Sequence, residues 1–252
     1  MKVTLLIPAV SVFITASCGI ISTRADHDPN ELTPPVKTAN ASTPQVDPSS
    51  IQQAQKQQFE MPKVGDTWKY KILRGGYRTA IVTQLIDKHS FTLKVTTTRG
   101  KSTSTEWKSI AFERDATTPG SILIVDVPVY KNDLEAQAAN ASGRGGMEVL
   151  LRTPLRLKDT WMNEKNSGYT RMVEFDEVAH LADSVKVIAG TFNKVWTIHR
   201  MTRVDGQDDS VDEYFLYAEG VGLIELLGRG ADGNLETVLE LASYKMNQKR
   251  SR

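Results

Sequence analysis

The sequence predicts a mainly β protein. About a dozen mostly antiparallel strands are expected, in one curved or barrel-like sheet or in two packed sheets. Three observations predict this. From residue 62 onward, short segments are rich in β-branched and aromatic residues, as in "YRTAIVTQLID" (77–87) and "FTLKVTTTR" (91–99). Turn signals separate them at short intervals: "RGG" (74–76), "DKHS" (87–90) and "RGKS" (99–102). Apolar stripes at helical spacing are scarce throughout.

Taken in order, the elements follow from their residues. Phe91, Leu93 and Val95 fall on one face of a strand, with Thr92, Lys94 and Thr96 on the other. "STEWKSIAFER" and "GSILIVDVPVY" add two strands, with Pro128 at a strand end or an edge because it lacks an N–H to give to a ladder. One short helix is expected near 132–141, where helix formers follow an Asn-Asp cap and precede a glycine-rich exit. Strands then resume in "YTRMVEFDEV", "SVKVIAG", "TFNKVWTIHRMTRV", "VDEYFLYAE", "GLIELLG" and "LETVLELASYKM". "ADGN" (231–234) supplies a tight hairpin turn. Asp-Thr-Trp occurs twice, at 66–68 and 159–161, as a strand opener in each half.

The N-terminus carries an address. Lys2 precedes an apolar run from Val3 to Ile14, then small residues, then Cys18. The run is too short for a membrane span and matches a secretory signal. Cys18 is the single cysteine, so no internal disulfide can form, and an exported thiol needs another use. "ITASCG" resembles the bacterial lipobox, although Thr15 stands where that motif usually has Leu. The resemblance implies cleavage before Cys18, lipidation of that residue (diacylglyceryl and palmitate), and, with Gly19 following, an outer-membrane anchor facing the periplasm. Residues 19–60 hold five prolines among Thr, Ser, Asn and Gln and cannot form a core. As a flexible coil this tether would span roughly 35 Å.

The expected organisation is therefore a signal peptide (1–17), a lipidated cysteine and tether (18–61), and a first β segment (62–130). A helix and loop (131–146), a second β segment (147–246) and a basic tail (247–252) follow.

Charge is balanced, with 31 Lys plus Arg against 30 Asp plus Glu, which gives no general attraction to nucleic acid. No G-x-S-x-G elbow, H-E-x-x-H motif or P-loop occurs, so no catalytic residue, metal site or cofactor is expected. The acidic run 205–213, with Asp205, Asp208, Asp209, Asp212 and Glu213, is a weak candidate for a cation because it departs from EF-hand spacing. His199 on a strand face reads as a packed or surface residue. Trp68, Tyr70, Trp161, Trp196 and Tyr217 form a candidate ligand face if the sheet is concave.

"VIAGTFNKVW" (187–196) and "YFLYAEGVGLIELL" (214–227) resemble bacterial envelope lipoprotein families of uncharacterised function, as does the opening "VGDTWKY". The resemblance implies a lipid-anchored β domain that binds or scaffolds, without enzymatic activity. Its partners would be the membrane, through the N-terminal lipid, and another envelope protein or a lipid. Alternatives are a carrier or sensor of a hydrophobic ligand, by analogy with periplasmic carriers, and an envelope-polymer hydrolase.

Overall fold

The computed structural model describes residues 61–118, 121–127, 147–167, 170–206, 210–230 and 232–247. These lie in a compact unit spanning Gln45–Arg252. The expected signal peptide, Cys18, the tether up to residue 60, the helix near 132–141 and the tail beyond Asn247 lie outside the described residues.

Twelve strands form one sheet: β1 (Thr67–Ile72), β2 (Tyr77–Leu85), β3 (Ser90–Arg99), β4 (Ser102–Arg114), β5 (Ile122–Val127), β6 (Glu148–Thr153), β7 (Thr160–Ser167), β8 (Thr170–Val187), β9 (Gly190–Val204), β10 (Ser210–Ala218), β11 (Gly222–Arg229) and β12 (Leu235–Lys245). Their order is β6-β5-β4-β3-β2-β1-β12-β11-β10-β9-β8-β7, and every pairing is antiparallel. The two expected β segments are therefore two six-strand meanders in one nearly closed barrel. The β1–β12 ladder joins them, from Thr67↔Lys245 to Ile72↔Leu239. At the other joint β6 and β7 share no backbone hydrogen bond among the described residues, and side chains bridge them instead.

The meanders repeat one local design. At 63–66 and 156–159 a turn closes with Asp66 N donating to Lys63 O (2.9 Å) and Asp159 N donating to Arg156 O (3.1 Å). The third residue has positive φ in both, Gly65 at 88° and Lys158 at 68°. Gly65 N donates to Val82 O and Lys158 N to Val178 O; Val82 N donates to Asp66 O and Val178 N to Asp159 O. Both valines are buried, and in both meanders the ladder shifts register immediately after them. The repeated Asp-Thr-Trp is the sequence trace of this shared turn and bulge.

Alternation sets the two faces of the sheet. Trp68, Tyr70, Ile72, Val82, Leu93 and Ile110 point inward, and Val178, Trp196, Ile198, Phe215, Leu226 and Leu241 meet them from the second meander. Lys69, Lys71, Glu177 and Arg203 point outward and are exposed. Apolar inside and charged outside is the reverse of a lipid-embedded barrel. Among the described residues no helix is long and apolar enough to cross a membrane.

Asp66 ties the chain ends together. Its Oδ2 accepts from Lys63 N (2.7 Å) and its Oδ1 from Asn247 N (2.6 Å), while the residue is 2% exposed. Asp66→Ala removes both charge-assisted bonds and is expected to cost about 3 kcal/mol in urea unfolding. Asp159→Ala, at the matching, more exposed position, is expected to cost less than about 1 kcal/mol.

Candidate functional site

The interior changes character along the barrel axis. β1 begins at what we call the entry end, where Met61 leads into the sheet, and finishes at the far end. Toward the entry end the interior is apolar. Toward the far end the second meander places charged residues where the first places apolar ones. Tyr70 and Val95 of the first correspond, through the shared turn register, to Asn163 and Arg200 of the second. Alternation makes this substitution effective, because the strand frame aims these side chains inward whatever their polarity.

Arg200 is the hub. It is 5% exposed. It grips Asp176 with two bonds (Nε to Oδ1 2.7 Å, Nη2 to Oδ2 3.2 Å), and its Nη1 donates to Glu148 Oε1 (2.9 Å). Its guanidinium sits over the Phe215 ring at 5.0 Å. Nη1 also lies 3.2 Å from Glu174 Oε2, but at an angle that makes an ion pair rather than a hydrogen bond. Lys165 Nζ completes the group, 2.8 Å from Glu174 Oε1 and 2.9 Å from Glu148 Oε2. Two further inward pairs, Lys108–Asp126 (2.7 Å) and Arg78–Glu106, extend the charged lining into the first meander.

This cluster also bridges the β6–β7 joint. Glu148 is on β6, Lys165 on β7, Glu174 and Asp176 on β8, and Arg200 on β9. Beside it the Asn163 carboxamide replaces a missing ladder step. Its Oδ1 accepts from Val149 N (2.8 Å) and its Nδ2 donates to Val149 O (3.0 Å) and to Asp176 Oδ2 (3.2 Å).

Glu213 is the titratable member. It lies opposite Arg200 on β10. Burial pushes its carboxyl up to about 7; Arg200 pulls it down, and Glu174 and Asp176 push it up. Asp176 is also raised, by burial that outweighs Arg200. Glu148 is buried as well, yet Lys165 and Arg200 hold it below the usual carboxylate range. Two cations face four carboxylates here, so a neutral Glu213 brings the cluster closest to balance. Chemically the arrangement is a buried cross-brace with one group that takes up a proton near neutrality.

The five aromatic residues of the sequence-derived ligand face are brought to the interior, where the polar atoms of four of them bond to the protein itself. Trp68 Nε1 donates to Val221 O (2.8 Å), Tyr70 Oη to Leu223 O (3.0 Å), Trp161 Nε1 to Val149 O (3.3 Å) and Trp196 Nε1 to Glu219 Oε1 (3.5 Å). Tyr217 packs against the same core, and burial drives the hydroxyls of Tyr70 and Tyr217 well above their ordinary acidity range. Of the acidic run, Asp208 and Asp209 lie outside the described residues. Asp205 sits in the turn after β9, and Asp212 is spent on His199 Nε2 (2.9 Å) and on Arg229 (3.5 Å). No group of acidic, His or Cys residues able to hold a metal occurs among the described residues. His199 stacks on Tyr214 at 4.6 Å and borders an open groove of about 370 Å³ on the outer face of β7–β9, with Met162, Phe175 and Met201.

None of Glu148, Asn163, Lys165, Glu174, Asp176 or Arg200 was expected from the sequence, and Glu213 was expected only as a member of the acidic run 205–213. A signal was available in part. Glu174 and Asp176 share strand parity with buried Val178, and Arg200 shares it with Ile198.

No family model matches the chain, and no curated protein does. Among solved structures it is similar to a protein assigned as a lipoprotein in Parabacteroides distasonis, with 12% identity, 73% of this chain and 96% of that one covered, and a TM-score of 0.43. It is also similar to an exported protein with a YmcC-like fold from Bacteroides fragilis, with 10% identity, 74% and 98% covered, and a TM-score of 0.42.

The shifted Glu213 sets a sign for stability against pH. Its folded value of about 7 lies above its ordinary 4.5, so the folded state binds the extra proton and stability falls as pH rises from about 4.5 to about 7. Glu213→Gln removes that slope. The variant is expected to gain on the wild type by at most about 3 kcal/mol between pH 4.5 and 7.5, read from urea midpoints at each pH.

Proposed function

We propose that this chain is a lipid-anchored protein of the bacterial cell envelope, facing the periplasm, that acts by binding or scaffolding rather than by catalysis. The observation that carries the reading is the single cysteine, Cys18, set in a lipobox-like end and followed by a proline-rich stretch before the sheet begins at Thr67. The barrel interior supports it from the other side. Its aromatic groups are bonded to the protein, and most of its carboxylates face a Lys or Arg, so binding is directed to the outer surface and the turns. Other envelope proteins or lipids are the corresponding partners, and the outer membrane the corresponding site.

A carrier of a hydrophobic ligand would need Tyr70, Trp161 and Trp196 to leave packed positions in which each is less than a tenth exposed. One observation favours the hydrolase reading, namely Glu213 beside other carboxylates, its carboxyl pushed up to about 7 by burial. It would require a polymer to reach the far-end interior.

The anchor has a direct test. Wild-type protein expressed with radiolabelled palmitate is expected to take up label and to fractionate with membranes. Cys18→Ala is expected to lose the label, keep the unprocessed leader and, once the leader is removed genetically, become soluble. Label retained in the variant would overturn the anchor.

A further inference from the structure

We infer that the entry end of the barrel is a membrane-docking surface that inserts apolar turn tips between anionic lipid headgroups. Turn tips are ordinarily Gly, Asn, Asp or Ser. At the entry end four of them are apolar instead. Val64 lies in the turn before β1, Ile86 in the β2–β3 turn, Leu157 in the β6–β7 turn and Ile188 in the β8–β9 turn. Each is between 52% and 55% exposed. Two of these tips recur by design: Val64 and Leu157 occupy the same position of the turn that the two meanders share. The described turns of the far end read differently: Leu73-Arg74-Gly75-Gly76, Gly100-Lys101, Asp205-Gly206 and Asp232-Gly233-Asn234 hold Leu73 as their apolar residue, and Met147 stands exposed just before β6 at the same end.

Charge selects the occupant. Every apolar tip has an exposed cation within two residues: Lys63 beside Val64, Lys88 beyond Ile86, Arg156 and Lys158 on both sides of Leu157, and Lys186 before Ile188. In the same turns Asp66 and Asp115 are buried and internally bonded, Asp159 and Glu219 are half-buried, and Asp87 is the exposed acid, while Glu240 accepts from Ile188 N (2.8 Å). Apolar tips ringed by Lys and Arg match the boundary between acyl chains and anionic headgroups. A protein partner would be met by a continuous apolar patch, whereas these tips stand apart on separate turns.

Two features of the fold agree. The chain runs into the sheet at this end, through Met61, so the segment that leads back to Cys18 starts from the docking face. The interior is apolar toward this end and charged toward the other, so the molecule is polarised along the axis that docking would align with the membrane normal. Docking would hold the barrel upright on the bilayer and present the far end and the β7–β9 groove to the periplasm.

This inference rests on the proposed envelope location but not on lipidation, and its test leaves the anchor out. The chain from Gly19 to Arg252 keeps the whole compact unit and all twelve strands. It is floated with vesicles of phosphatidylethanolamine and phosphatidylglycerol, and separately with phosphatidylcholine alone. Binding to the anionic vesicles that weakens with added salt is expected, with little binding to phosphatidylcholine. Ile86→Asp combined with Leu157→Asp is expected to lower the bound fraction about tenfold. Leu73→Asp at the far end is expected to leave it unchanged, with thermal unfolding confirming that each variant is folded. A nitrobenzoxadiazole label on Leu157→Cys is expected to shift to the blue on binding. Absence of binding to anionic vesicles, equal losses from the far-end control, or self-association through the entry end in place of binding would each overturn the inference. None of these outcomes bears on palmitate uptake at Cys18.

Discussion

The β1–β12 ladder is the constraint on which the rest of the molecule depends. Each meander is built from neighbours in sequence and could in principle curl alone. Joined by their first and last strands, the two become one sheet with a single interior. That pairing carries the greatest sequence separation in the fold, so its loop-closure cost is the largest. The structure reinforces it. Asp66 holds Asn247 beside the start of β1, and Asn247 Nδ2 donates back to Val64 O at 2.9 Å. Trp68 and Tyr70 of β1 reach past β12 to carbonyls at Val221 and Leu223.

Two repeated meanders create two joints, and only one of them is a ladder. The β6–β7 joint presents backbone groups that have no strand partner among the described residues, the condition that makes sheet edges hazardous. Here the second meander supplies polar side chains at inward positions. Asn163 satisfies both backbone groups of Val149, and the carboxylates around Arg200 and Lys165 stitch β6 to β7, β8 and β9. A buried ion cluster of this kind brings little net stability relative to an apolar core. What it adds is directionality: it bonds across an edge where apolar packing alone would leave N–H and C=O groups empty. β1, which opens the first meander, has a ladder partner in β12, and the first meander keeps Tyr70 and Val95 at the positions matching Asn163 and Arg200.

The same division polarises the barrel. Apolar packing lies toward the entry end and paired charges toward the far end, where they bridge the joint that has no ladder, and the tips extend the contrast to the surface. Glu213 lies where the contrast is sharpest, opposite Arg200, in a cluster with more carboxylates than cations. The physics that closes the barrel therefore also leaves one proton-sensitive group inside it.

Local chemistry made much of this legible beforehand. β-Branched alternation, turn residues and the lack of helical stripes predicted a dozen antiparallel strands in a barrel-like sheet, and the repeated Asp-Thr-Trp marked the start of each meander, because a turn and a bulge are specified by a few adjacent residues. Aromatic residues were legible as interior but not as saturated, since the carbonyls that Trp68 and Tyr70 reach lie 153 residues away. The cluster around Arg200 was legible only as inward parity of Glu174, Asp176 and Arg200, not as a cluster. Its members come from β6 to β10, and only the register of three ladders and the side-chain joint between β6 and β7 bring them together. The sequence by itself determined the strands and the turns. The tertiary structure alone decided that the two halves share one interior, that one joint closes through side chains, and that four apolar tips gather at one end, because those facts depend on which strand lies beside which.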